Sequence, residues 1–272
     1  MYYGEDFIEK SVMSIINDID KIFIMYTDRP WSGIEKVTYK GEIMSIPCPV
    51  DKAVHIAKNL EAQFPGKVYA FYHYHPVPDN QFTVLFDSLK LRGLTGCCNV
   101  VMLMEPDMVW PEGKLKPLLN TLQNIEFPPL CTYQIEFWKS DGYMIPVRER
   151  PGAIFHGVLS EQEMPETEKN GSTPNMKFID EIIYNYGFCM SQVNMFWKHL
   201  ICMNVAKNIH DSIVDESWYE EKWLKWDFMT NNSNLEPSKN YSTYIPYALL
   251  YDRTNKEIDY LQGKRYIHID RS

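Results

Sequence analysis

The chain has 272 residues, 45% hydrophobic and 14% aromatic, enough to bury a sizeable core as one large domain or a domain with an extension. Its net charge of -9 argues against a nucleic-acid binder that neutralises phosphates along a basic face. A small anionic ligand stays compatible, because a cation can bring the needed charge. Cys48, Cys97, Cys98, Cys131, Cys189 and Cys202 form no C-x-x-C pair. Free buried thiols in a reducing compartment, the cytoplasm, are the expectation. Gly4, Glu5 and Asp6 make the start polar, and no apolar run has the length of a membrane span. Neither a signal peptide nor a membrane span is therefore expected.

Phe7, Ile8, Val12, Ile15, Ile16 and Ile19 fall at helical spacing, with Glu5 and Asp6 in the first turn, where the helix dipole favours acids. Lys21–Tyr26 reads as a buried strand and ends at an acid, Asp28. A loop rich in Ser, Gly and Pro runs to Pro49. Asp51 can cap a helix whose inner face is Val54, Ala57, Leu60 and Phe64, stopped by Pro65-Gly66. Lys67–Tyr74 is the next strand. Asp79 begins another helix, which ends near Gly93.

Asn99–Trp110, N-V-V-M-L-M-E-P-D-M-V-W, follows as a strand buried on both faces that stops at two carboxylates, Glu105 and Asp107. Acids at the carboxyl end of a buried strand can seat a hard divalent cation that also holds phosphate oxygens. They can equally just end the strand and cap the next helix. The alternation of helix and strand through Trp110 predicts a mostly parallel central sheet flanked by helices, an α/β fold.

Beyond Trp110 the pattern changes. Leu115, Leu118, Leu119 and Leu122 predict a short helix, with Pro117 near its start. Thr132–Phe137 alternates, Ser140-Asp141-Gly142 reads as a hairpin turn, and Tyr143–Arg148 returns antiparallel. Ala153–Val158 suits a further strand. Residues 160–175 are nearly free of large apolar side chains and read as a flexible loop or lid. Ser191 caps a helix with Val193, Phe196, Trp197, Leu200 and Ile201 inward. Ser217 and Glu220 have capping-box spacing at the start of a helix bearing Trp218, Trp223 and Trp226. Those tryptophans read as core packing rather than a sugar platform. The expected division is a core over 1–159, the loop over 160–175, and a C-terminal helical extension and tail over 176–272.

The order of these short motifs resembles the family 2-like glycosyltransferases. Y-Y-G-E-D-F-I resembles their opening Y-x-N-E-E segment, and V-M-L-M-E-P-D-M-V-W their D-x-D-like strand end. Gln81 resembles a Gln or Arg of their donor-side helix. Asn185-Tyr186-Gly187-Phe188, Lys198-His199 and W-Y-E-E-K-W-L-K-W resemble segments just past the catalytic core in one branch of these proteins. The resemblance spans roughly Met1 to Asp227. It implies a GT-A fold, a nucleotide-diphosphate sugar as donor, an Mn or Mg ion and inversion at the anomeric carbon, while the acceptor, a glycan, lipid, protein or small molecule, stays open.

On that resemblance Asp107 is a direct metal ligand, and Glu105 a second ligand or a contact to the donor. Asp28 reads the base or ribose, and Tyr2, Tyr3 and Glu5 face the nucleotide. The first strand of the family's sheet would be very short here. Where relatives often carry a metal-binding histidine, the chain has Tyr184 and Asn185. Asp141 and Glu136 are the candidates for catalytic base, with Asp141 equally a turn residue.

Arg148 and Arg150 suit bidentate contact with phosphates or, as readily, surface ion pairs. His73 and His75 have same-face spacing but no further metal-binding residue close in sequence. Two other readings stay open. One is a non-catalytic GT-A-like binding or assembly module. The other is a sugar-phosphate nucleotidylyltransferase, although no Gly-rich phosphate loop is present.

Overall fold

The computed structural model describes residues 4–28, 34–46, 52–73, 100–123, 125, 127–144, 151–157, 176–208, 216–226 and 247–248. Tyr2, Tyr3, Gln81, Arg148, Arg150, His75, the helix expected from Asp79 and the 160–175 loop lie outside them. The architecture is α/β, with a seven-stranded sheet and two two-stranded sheets among the described residues.

The first half follows its periodicity. Helix α1 is Ile8–Ile15 and buries Ile8, Val12 and Ile15, the residues spaced for one face. Strand β1, Ile22–Tyr26, pairs in parallel with β4, Val68–Tyr72. Between them α2, Ala53–Gln63, buries Ala53, Ala57 and Leu60. This is a strand–helix–strand crossover, the unit that the alternating pattern predicts.

The loop expected before Pro49 holds a hairpin instead. Strands β2, Lys36–Tyr39, and β3, Glu42–Ser45, are antiparallel. Lys40 and Gly41 join them with positive φ values of 50° and 81°, the backbone of a two-residue turn matched to strand twist.

The expected parallel continuation stops there. Strand β5, Val100–Leu103, runs antiparallel to β9, Pro151–Gly157, rather than beside β4 among the described residues. Only Leu103 of β5 is fully buried. Alternation in sequence predicts crossovers but does not name a strand's partner. After a tight turn the two-residue β6, Met108–Val109, lies antiparallel to β10, Lys177–Phe188. The helix α3 at Leu115–Leu122 forms as expected, with Pro117 in its first turn.

Strand β7, Leu130–Trp138, is central. On one edge it pairs antiparallel with β9 along its first half and with β8, Ser140–Met144, at its end. On the other edge β10 lies parallel to it. β11, Tyr247–Ala248, extends the β8 edge. The sheet is therefore mixed rather than mostly parallel. The β7–β8 turn centres on Lys139, at φ 64°, one residue before the expected Ser140-Asp141-Gly142. The segment Lys177–Phe188, assigned from sequence to a helical extension, is a long strand between β7 and β6.

One core joins the two sheets. Ile22, Ile24 and Tyr26 of β1 cluster with α1, with Leu60 of α2, with Met108, Phe155 and Ile183 of the larger sheet, and with Trp110 just past β6. Helix α4, Gln192–Asn208, begins at Ser191, whose Oγ accepts the Asn194 amide at 3.4 Å, the capping expected there. Leu200, Ile201 and Met203 pack under Val37 and Tyr39 of the hairpin, while Val193, expected inward, is 59% exposed.

Trp218–Leu224 forms a π-helical segment that buries Trp218, Tyr219 and Trp223, as the core reading of these aromatics predicts. The Ser217–Glu220 capping box does not form. Glu220 instead accepts the Tyr39 hydroxyl at 3.1 Å and the Lys40 ammonium at 2.6 Å. No helix among the described residues is long and apolar enough to cross a membrane.

Two outcomes follow from these contacts. A Cβ at Gly152 would run into the side chains of Thr132 and Ile183 and come within 3.0 Å of the Tyr133 carbonyl. Gly152→Ala should destabilise the fold by about 1–3 kcal/mol in denaturant titrations, the usual cost of overpacking. Burial and then the Glu220 carboxylate push the Tyr39 hydroxyl from 10.0 up to about 12. The stability it contributes is complete below pH 10 and is lost as pH rises towards about 12. The tyrosinate absorbance of wild type minus Tyr39→Phe should titrate at that upper value in the native state and near the ordinary value when denatured.

Candidate functional site

The turn between β5 and β6 carries the acids. Its backbone closes as the Met108 amide donates to the Glu105 carbonyl at 3.1 Å, which leaves Pro106 and Asp107 at the corner. Strand β10 then fixes the corner from the side, its Tyr186 amide donating to the Asp107 carbonyl at 2.8 Å. Tyr186 is itself held by the Phe7 ring, stacked at 5.0 Å, and by the Lys10 ammonium 3.9 Å from its ring centroid. The opening helix thus packs directly behind the acidic turn.

Asp107 is 6% exposed. Its Oδ2 accepts from the Lys198 ammonium of α4 at 3.3 Å, and Lys198 also donates to the Gly187 carbonyl at 3.2 Å. Its Oδ1 is buried with no hydrogen-bond partner among the described residues. Burial lowers the affinity of Lys198 for its proton, but Asp107, Cys202 and Glu105 together raise it further, so the ammonium sits above its ordinary value.

Glycine is required at 187. A Cβ there would lie 2.9 Å from Asn185 Oδ1, 3.0 Å from Asp107 Oδ2 and 3.2 Å from Lys198 Nζ. The glycine lets β10 approach the charge pair closely.

A polar row leads away from this pair across the sheet. Asn185 Oδ1 accepts the Gly187 amide at 2.7 Å, and its Nδ2 donates to Gln134 Oε1 of β7 at 3.3 Å. Glu136 lies two residues beyond Gln134, so its side chain points to the same face of β7, and it pairs in register with Asn185. It is 8% exposed. Thr132, also on this face, accepts the Ala153 amide of β9 at 3.0 Å.

The expected site residues distribute as follows. Asp107 accepts from Lys198, the exposed Glu105 acts on the same ammonium electrostatically, and Glu136 lies on the polar row that leads to Asp107. Asp141 is exposed on β8. Burial, then Asp141, with a smaller contribution from Asp107, pushes the Cys189 thiol up to about 12. Asp28 follows the carboxyl end of β1, where its Oδ1 accepts the Tyr72 hydroxyl at 2.9 Å.

Glu5 is engaged structurally. Its carboxylate accepts the Lys52 amide ahead of α2 at 2.6 Å and the Asn194 side chain at 3.1 Å. Asp6 beside it accepts the Ser191 amide at 2.9 Å, which draws the start of α4 onto the first turn of the chain. Tyr2, Tyr3, Gln81 and Arg148 lie outside the described residues.

Sequence reasoning placed Asn185 and Lys198 only in motifs that resemble segments past a catalytic core, without a contact to Asp107, and did not single out Gln134. Lys198 stands 91 residues from Asp107. The readable signal was Gly187, a glycine inside an otherwise bulky strand.

A divalent cation at this turn can be tested against the residues present. The orphaned Oδ1 fits, because a buried carboxylate oxygen calls for a cation or a donor. Among the described residues no three His, Cys, Asp or Glu side chains gather as a ligand group. That still suits Mg, which is often held by one or two carboxylates and completed by substrate phosphates. No protein-family model and no curated protein matches this chain.

Adding a methyl group at the centre of this cluster should disrupt it. Gly187→Ala is expected to destabilise the fold by about 1–3 kcal/mol. It should also shift the Lys198 side-chain resonances in NMR spectra, whereas an alanine with room to spare would leave them in place.

Proposed function

We propose that this chain is a metal-dependent glycosyltransferase of the GT-A type. It moves a sugar from a nucleotide-diphosphate donor to an acceptor, inverting the anomeric carbon. The observation that carries the reading is Asp107, a buried acid at a strand-end turn with one oxygen on Lys198 and the other without a hydrogen-bond partner among the described residues. Such an oxygen is costly until a ligand completes it. The parallel β1–β4 unit ending near Asp28 and the order of the short motifs support the same reading.

Asp107 would hold an Mn or Mg ion, with Glu105 as the second acid. When bound, such an ion offsets the negative charge that builds on the departing diphosphate. Lys198 holds one carboxylate oxygen of Asp107 and so fixes how the other is presented. Of the two acids offered as base, Glu136 lies on the polar row leading to Asp107, and the reading gives it the proton of the acceptor hydroxyl. The acceptor is a glycan, lipid or protein hydroxyl.

A second reading, a non-catalytic GT-A-like binding module, draws support from Asn185. Its side-chain oxygen is engaged by the Gly187 amide, at a position where the resembling family often places a metal-binding histidine.

Calorimetric titration with UDP- and GDP-sugars, with and without Mn, tests the reading. A metal-dependent signal with at least one donor is expected, and Asp107→Asn should weaken it at least ~10-fold. Binding unchanged in that variant would remove Asp107 from the ligand set. Binding without hydrolysis or transfer of the donor would favour the non-catalytic module.

A further inference from the structure

The turn ahead of α1 grips the starts of two helices at once. Both oxygens of Glu5 are engaged, one by the Lys52 amide ahead of α2 at 2.6 Å and the other by the Asn194 side chain of α4 at 3.1 Å. Asp6 Oδ2 accepts the same Asn194 nitrogen at 3.0 Å and the Ser191 amide at 2.9 Å. Carboxylates suit these places, because unsatisfied amides make a helix N-terminus its positive end. Asn194 is 1% exposed, so its amide donor would be costly to leave unpaired.

Asn194 and Lys198 stand four residues apart on α4 and therefore share a face of the helix. The face gripped by the turn is the face that carries the ammonium to Asp107. The same short segment reaches the other member of the pair. Phe7 and Lys10 hold the Tyr186 ring, and the Tyr186 amide holds the Asp107 carbonyl.

We propose that Asp6, with Glu5, is a positioning residue for the Asp107–Lys198 pair: by fixing the first turn of α4, it sets where Lys198 meets Asp107. The ammonium gives its hydrogen bonds to Asp107 and the Gly187 carbonyl, so the two acids act on it through the helix. This use of Glu5 differs from the nucleotide contact that the family resemblance implies. The clamp stands whatever Asp107 binds, and only its effect on donor affinity rests on the donor-site reading.

The test is a double-variant cycle on the full chain, Asp6→Ala with Lys198→Met, read by chemical denaturation. NMR of the Lys198 side chain in Asp6→Ala and Asp6→Asn accompanies it. The unfolding constant of the double variant should depart at least ~5-fold from the product of the single effects, whereas independent sites agree within ~2-fold. Asp6→Ala should shift the Lys198 resonances. Asp6→Asn should leave them near their wild-type positions, because both bonds fall on one oxygen and the amide keeps such an acceptor. A smaller departure, or Lys198 resonances unmoved in Asp6→Ala or moved as far in Asp6→Asn, overturns the proposal.

Should Asp6→Ala fail to fold, Glu5→Ala replaces it in both measurements, since Asp6 then still holds Ser191. Should Lys198→Met fail to fold, the NMR comparison decides. Where wild type binds a nucleotide sugar with Mn, Asp6→Ala should weaken that binding ~10-fold. Wild type that binds no donor would remove the glycosyltransferase reading, while coupling of Asp6 to Lys198 would still uphold the clamp.

Discussion

The contact between Asp107 and Lys198 joins three parts of the chain that are distant in sequence. Asp107 sits on the turn between β5 and β6, Gly187 belongs to β10, and Lys198 belongs to α4. Their meeting requires β10 to lie beside β6, which puts β10 inside the sheet between β7 and β6. It also requires α4 to start where Glu5 and Asp6 hold Ser191 and Asn194. The carboxylates of the first turn thus act at a distance on the site, by fixing the helix that delivers the lysine. Removing one partner of a fully buried ion pair typically costs about 3–5 kcal/mol. Lys198 is one-third exposed, so the cost here falls below that range.

This arrangement separates holding from binding. The backbone of Asp107 is held by Tyr186, and Tyr186 by Phe7 and Lys10. The turn is braced without using either carboxylate oxygen. One oxygen then accepts from Lys198, and the other has no hydrogen-bond partner among the described residues. Gly187 keeps the space between them small. The polar row of Asn185, Gln134 and Glu136 continues the hydrophilic face into the sheet, where a buried polar group persists only with partners.

Much of the local structure was legible because it depends on local physics. Helices α1, α2 and α3 and strands β1 and β4 follow periodicity and stop signals, and Ser191 caps α4 as its residue type suggests. What failed depends on partners far along the chain. Strand β5 reads like a central parallel strand but pairs antiparallel with β9, a choice its own residues do not encode. Glu220 has capping-box spacing, yet Tyr39 and Lys40 of a distant hairpin claim it. Strand β10 was overlooked because Asp180, Glu181 and Asn185 interrupt its apolar residues. Its run of Ile182, Ile183, Tyr184 and Tyr186 was the available signal.

The candidate site divides in the same way. Its acids were visible at a strand end, whereas the pairing of Lys198 with Asp107 was not, because no sequence pattern links residues 91 positions apart. The central claim, a proposal, is that Asp107 holds the divalent ion of a nucleotide-sugar site. The most direct measurement is anomalous diffraction from crystals of the full chain grown with Mn and UDP. The account predicts an Mn peak on the Oδ1 side of Asp107 with the diphosphate beside it. An Mn peak away from Asp107, or a diphosphate bound elsewhere with the Asp107–Lys198 contact unchanged, would contradict it.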